Sequence, residues 1–194
     1  MNMIAATRHC FVNALNFAGR ADRYEFWNFV LFLVLASLLL VGVNSLVFGP
    51  TITESLQITV NMNGQQSIQP VREALYTAGW PGTIFNIAVL LPLVAVTVRR
   101  LHDRNLPGWF VLTPVASGAI AYGLVALTSV AVPIDPTGLP QGAPTEILVP
   151  GSPLAFFAAW LIALAGCLFL LISLVRGSKP GPNRFGPHID GTPA

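Results

Sequence analysis

Six arginines, Arg20, Arg23, Arg99, Arg100, Arg104 and Arg184, lie in three short polar segments that also hold Asp22, Glu25, Asp103 and Asn183. A guanidinium stays charged at any accessible pH and presents a planar fork of donors that matches a carboxylate or a phosphate. If the three segments meet, six positive charges are offset by three carboxylates, and an anion such as a phosphate-bearing lipid headgroup or a metabolite has a place to bind. The competing reading is structural: interfacial arginines hold topology, snorkel to headgroups and cross-link loops through pairs such as Arg100 with Asp103 or Arg184 with Glu25. Both readings stand on the sequence alone. His102 and Asp103 invite an acid-base or metal role, but neighbours on a helix diverge by ~100°. His9 and His188 are the only other imidazoles, Cys10 falls in the N-terminal segment and Cys167 inside the fourth apolar run so that neither compartment nor position suggests a disulfide or a metal pair, and no nucleophile motif accompanies them. No phosphate loop, dinucleotide fingerprint or zinc-protease motif is present, so no catalytic residue, cofactor or metal site is expected, and the basic patches are too short to point to nucleic acid.

The elements that must carry these segments are four uncharged apolar runs, 26–48, 80–98, 109–132 and 153–175, each 19 to 24 residues long. At ~1.5 Å rise per residue, such a run crosses a ~30 Å hydrocarbon core. With 54% apolar and 9% charged residues, the chain has too few charges to clothe a soluble globule. The fold class expected is therefore an all-α membrane protein of four transmembrane helices forming one domain over 1–194. An N-terminal segment (1–25), outer loops (49–79 and 133–152) and a C-terminal tail (176–194) complete it.

Basic residues orient the bundle. Nine of the ten Lys and Arg residues fall in the two terminal segments and the 99–108 loop, leaving Arg72 alone on the other side. The positive-inside rule places both termini and that loop in the cytoplasm, with nine basic against four acidic residues there. The first apolar run is full length and follows Asp22, Arg23 and Glu25, unlike a cleaved signal peptide, so a retained N-terminus is expected.

Residues 3–18 put Ile4, Phe11, Leu15 and Ala18 near one helical face, as in an amphipathic helix lying at the membrane interface. Gly19 can end that helix, and Asp22 with Glu25 has capping-box spacing for the first span. In the first outer loop, Leu56, Ile58, Val60 and Met62 alternate with Gln57, Thr59 and Asn61 before Asn63-Gly64, which predicts a small hairpin. Pro70 to Ala78 is read as a short helix and the Pro- and Gly-rich 133–152 loop as irregular. Trp27, Trp80 and Trp109 sit at span ends, where indoles favour headgroups. Ala155, Ala159, Ala163 and Gly166 form a small-residue face that admits another helix closely, within the bundle or in a second copy.

The segments Phe17-Ala-Gly-Arg-Ala-Asp-Arg-Tyr-Glu-Phe-Trp27, Val98-Arg-Arg-Leu-His-Asp-Arg-Asn-Leu-Pro-Gly-Trp109 and Gly181-Pro-Asn-Arg-Phe-Gly-Pro187 together resemble the bacterial inner-membrane family known as domain of unknown function 805. The resemblance implies a multi-pass protein of the inner membrane and brings no established activity or catalytic residues. Three functions are weighed. The first is a noncatalytic protein that organises or regulates a membrane partner, or pairs with itself. The second is a binding module for an anionic lipid or metabolite at the arginines. The third is a transporter, disfavoured because the spans offer only neutral polar groups such as Asn28, Asn44, Asn86, Thr97, Thr113 and Ser117.

Overall fold

The computed structural model describes residues 2–60, 66–134 and 145–187. It is mostly helical, with four helices long and apolar enough to cross a membrane and two small antiparallel ribbons. In chain order the elements are α1 (Met3–Val12), α2 (Arg23–Phe48), β1 (Thr51–Val60), β2 (Gln66–Leu75), α3 (Gly79–Asp103), a 3₁₀ turn (Gly108–Leu112), α4 (Thr113–Thr128), β3 (Ser129–Pro133), β4 (Glu146–Pro150) and α5 (Pro153–Val175).

Local chemistry sets most of the boundaries. Asn2 caps α1 by accepting the Ala5 N–H at 2.9 Å, and Asp22 caps α2 by accepting the Glu25 N–H at 2.6 Å. Gly19, at φ +84°, supplies the left-handed step between these helices. Helix α1 ends earlier than the apolar pattern implied, because Asn13 and Asn16 turn their side chains onto nearby backbone: Asn13 Nδ2 donates to His9 O and Asn16 Oδ1 accepts from Ala18 N. Leu15 and Ala18 therefore lie beyond the helix. Its buried positions are Ala6 and Cys10, while Ile4 is exposed.

Helix α3 runs five residues past the predicted end of the second span. Arginines are good helix formers, and basic groups in a last turn oppose the helix dipole, so Arg99 to Asp103 extend the helix instead of opening a loop. It closes in a Schellman motif: Leu106 N–H donates to Leu101 O at 2.9 Å, Asn105 N–H donates to His102 O at 2.8 Å, and Asn105 takes φ +60°.

The reading of 49–79 is partly overturned. Strands β1 and β2 pair over ten residues each, from Thr51 opposite Leu75 to Val60 opposite Gln66, so the short helix expected over Pro70 to Ala78 is instead mostly strand. Pro70 is tolerated because both strands of a two-stranded ribbon are edges, where a missing N–H need break no ladder bond. The Asn63-Gly64 turn lies outside the described residues. The third span is shorter than expected and the second outer loop is not irregular throughout: Ser129–Pro133 pairs with Glu146–Pro150. Val130, Val132, Ile147 and Val149 are β-branched, and their strand preference outweighs the continuation of an apolar helix. The four long apolar helices are as expected, and beside the ribbon in the first outer loop, β3–β4 adds a second one that the sequence reading did not expect.

The buried core sits at one end of the bundle. Phe26 and Phe29 at the start of α2, Val96 in the second half of α3, Leu174 at the end of α5, and Cys10 and Ala21 pack into one cluster. This is the end that carries the arginines. Further along, α4 and α5 pack closely where Gly166 faces Ser117 and Thr113, which assigns this part of the small-residue face to bundle packing. At the other end of α2, Asn44 Nδ2 donates to Thr77 O at 2.9 Å.

Candidate functional site: an arginine latch at one end of the bundle

The last turn of α3 places Arg100 and Asp103 three residues apart on one face, and both side chains are fully buried. Asp103 Oδ2 accepts from Arg100 Nη1. Its other oxygen, Oδ1, accepts from Arg20 Nε at 2.9 Å and lies 2.8 Å from Arg20 Nη2. One carboxylate thus holds two guanidiniums from segments 80 residues apart in sequence.

The remaining donors of both arginines go to the end of α5 and the C-terminal tail. Arg20 Nη2 donates to Lys179 O at 2.8 Å, and Nη1 donates to Gly181 O at 2.8 Å and to Pro187 O at 3.3 Å. Arg100 Nε donates to Leu174 O at 3.2 Å, Nη2 to Arg176 O, and Nη1 also to Ser178 Oγ at 3.3 Å. Leu174 O belongs to the last turn of α5, whose carbonyls have no partner within the helix. Arg100 therefore caps α5 at the negative end of its dipole. All three nitrogens of each guanidinium are bonded within the chain.

Backbone bonds and ring stacking reinforce the closure. Ala21 N–H donates to Arg99 O at 3.1 Å and Lys179 N–H to Asp103 O at 3.4 Å. Asn183 Nδ2 donates to His102 O at 3.0 Å, while Asn183 Oδ1 accepts the Phe185 N–H at 2.8 Å. The Phe185 ring stacks on the His102 imidazole at 3.8 Å with 3° between planes, and the Arg184 guanidinium lies 4.6 Å from the centroid of the same Phe185 ring. His102 Nδ1 is 3.3 Å from Gly19 O. The imidazole thus packs between the tail and the α1–α2 turn and does not address Asp103.

A second charged group lies beside the latch. Glu25 Oε1 accepts from Arg99 Nη1 at 3.1 Å and is 2.9 Å from His9 Nδ1, with Cys10 Sγ at 3.8 Å. Arg99 is 3% exposed, and its Nε and Nη2 have no hydrogen bond among the described residues. Burial, joined by the Glu25 charge, pushes the Cys10 thiol up to about 12. Cys10 is accordingly expected to resist maleimide at pH 7.5 in the folded protein and to react once the protein is unfolded, which mass spectrometry of the alkylated chain would show.

The sequence-predicted site residues divide into three. Arg20, Arg100, Asp103 and Asn183 converge in the latch, and Arg99 pairs with Glu25 next to it. Asp22 serves as a helix cap. Arg23 is exposed and bonds Tyr24 Oη at 3.1 Å, Arg104 Nη1 donates to Gly177 O at 2.8 Å, and exposed Arg184 reaches Asn105 O at 3.4 Å. The Arg100–Asp103 pair is present, whereas the pairing of Arg184 with Glu25 is not: Glu25 is taken by Arg99 and His9. Sequence reasoning missed His9, Ser178 and the tail carbonyls. His9 precedes Glu25 by 16 residues across the Gly19 turn, a separation with no periodic signature, and carbonyl acceptors leave none at all.

No curated protein and no solved structure matches the chain. A family model described as "Protein of unknown function (DUF805)" matches residues 14–187, a span that takes in every member of the latch. The chain belongs to this family, DUF805.

Proposed function

We propose that this protein is a noncatalytic, multi-pass protein of the bacterial inner membrane that organises or regulates a membrane partner, with both termini and the 99–108 corner in the cytoplasm. The observation that carries this reading is the saturation of Arg20 and Arg100. A site built to take a soluble anion keeps donors free for it, whereas these donors are spent on Asp103, Ser178 and the tail's carbonyls. The latch is a structural device: it ties the N-terminal segment, α3, α5 and the tail into one rigid end. The faces left for a partner are the apolar flanks of the spans, such as Leu38 and Leu39 on α2 and Leu161 on α5, all strongly exposed.

Photo-crosslinking residues introduced singly at Leu38, Leu39 and Leu161 in native membranes test the partner role. The expected result is one discrete protein adduct from one helix face, identified as the same species at adjacent positions and lost when the latch is broken. Adducts to lipid alone at all three positions would refute it. Orientation is tested separately in a Cys10→Ser, Cys167→Ser background: an impermeant maleimide on intact spheroplasts should label a cysteine at Tyr76 and spare one at Lys179. The reverse pattern would overturn the assigned sidedness.

A further inference from the structure

Between the α3 corner and the end of α5 lies a groove of about 220 Å³ lined by Arg104, Leu106, Phe169, Ile172, Ser173 and Arg176. Its two ends differ in chemistry. Phe169 and Ile172 belong to the apolar α5 span and are about half exposed, while Arg176 is the first charged residue after that span. The groove therefore straddles the level at which acyl chains give way to headgroups.

Unlike the latch, this groove keeps donors free. Arg104 Nε is buried without a hydrogen bond among the described residues, although Nη1 of the same side chain donates to Gly177 O. Arg176 enters the latch only through its carbonyl, which accepts from Arg100, and its guanidinium has no hydrogen bond or ion pair among the described residues. Among the described residues no carboxylate lines the groove, and the nearby Asp103 is spent on Arg20 and Arg100. A neighbouring cleft lined by Asp22, Arg23, Tyr24, Gly177 and Ser178 has similar size but carries its own acid, so it lacks this charge imbalance.

We infer that the groove binds one anionic phospholipid, its phosphodiester between the Arg104 and Arg176 guanidiniums and an acyl chain against Phe169 and Ile172. Two guanidiniums and no acid favour a net negative headgroup over a zwitterionic one, and the apolar wall favours a lipid over free phosphate. The site is independent of any protein partner and needs only that α5 span the membrane.

The test is native mass spectrometry of the full chain in detergent, with phosphatidylglycerol or phosphatidylcholine of the same acyl chains titrated in. Wild type is expected to retain one phosphatidylglycerol per chain in preference to phosphatidylcholine, and to keep it in millimolar inorganic phosphate. Arg176→Gln removes no side-chain hydrogen bond among the described residues, so it should unfold at the wild-type temperature yet bind phosphatidylglycerol roughly tenfold more weakly, the scale of one lost charge-assisted bond. Arg23→Gln should bind as wild type does. Equal retention by Arg176→Gln and wild type, equal retention of the two lipids, no retained lipid in wild type, or displacement by inorganic phosphate would each overturn the assignment.

Discussion

Asp103→Ala should lower stability by about 3–5 kcal/mol, the cost of breaking a buried ion pair by removing one partner. The carboxylate is fully buried and is the only acid bonded to either Arg20 or Arg100 among the described residues. Its loss leaves two guanidiniums facing each other in a buried site. The carbonyls that accept from them orient the arginines but carry no formal charge to offset them. Asp103→Asn should fall short of rescue, since the amide keeps the shape while aiming one N–H₂ at donors. Arg23→Ala, at an exposed arginine whose one side-chain hydrogen bond among the described residues is to Tyr24 Oη, should change stability by less than about 1 kcal/mol. Denaturant titration of the three variants in the same detergent decides the matter. Equal midpoints for Asp103→Ala and Arg23→Ala would mean that the latch does not hold the fold.

The second large effect is steric. A Cβ built on Gly166 in α5 would lie 2.0 Å from Ser117 Oγ, 2.6 Å from Ser117 Cβ and 3.0 Å from Thr113 O in α4. The hydroxyl can rotate away, but the Ser117 Cβ and the Thr113 carbonyl are fixed to their helix, so the two helices must separate. Gly166→Leu should therefore destabilise by roughly 1–3 kcal/mol or more through overpacking. Gly166→Ala should do so less, even though alanine favours a helix by about 1 kcal/mol over glycine. Gly123→Ala in α4, where nothing lies within 4 Å of the added Cβ, should show only that favourable propensity. Combining Gly166→Ala with Ser117→Gly removes the two closest contacts and should recover part of the loss. Purely additive effects would contradict the contact.

How much of this was legible in the sequence follows from the length scale of each signal. The spans were legible because hydropathy averaged over about 20 residues is insensitive to any single position. Their ends were not. Arg99 to Asp103 look like a polar loop by hydropathy yet extend α3 by helix propensity and dipole, and Ser129 to Pro133 look like the end of a span yet pair with Glu146 to Pro150 across a stretch of chain that hydropathy does not connect. In the site, the three arginine-bearing segments and the i,i+3 pair of Arg100 with Asp103 could be read directly. What could not be read is that Arg20 and Arg100 would be saturated, because their acceptors are largely main-chain carbonyls of the tail, which every residue possesses. An arginine cluster open to a ligand and one closed upon its own chain have the same sequence. The distinction appears only when Lys179 and Gly181 are placed beneath α3.

The central claim is that the 177–187 tail is bound beneath the bundle rather than free, and hydrogen exchange of the wild-type protein in nanodiscs tests it most directly. The amides of Lys179, Asn183, Phe185 and Gly186 donate to Asp103 O, Gly186 O, Asn183 Oδ1 and Asn183 O respectively. They should exchange far more slowly than in a free peptide of the same sequence, and Arg20→Gln, which loses the side-chain contacts to Lys179 and Gly181, should speed them while α2 and α5 stay protected. Tail amides exchanging in the wild-type protein at the free-peptide rate would contradict the latch outright.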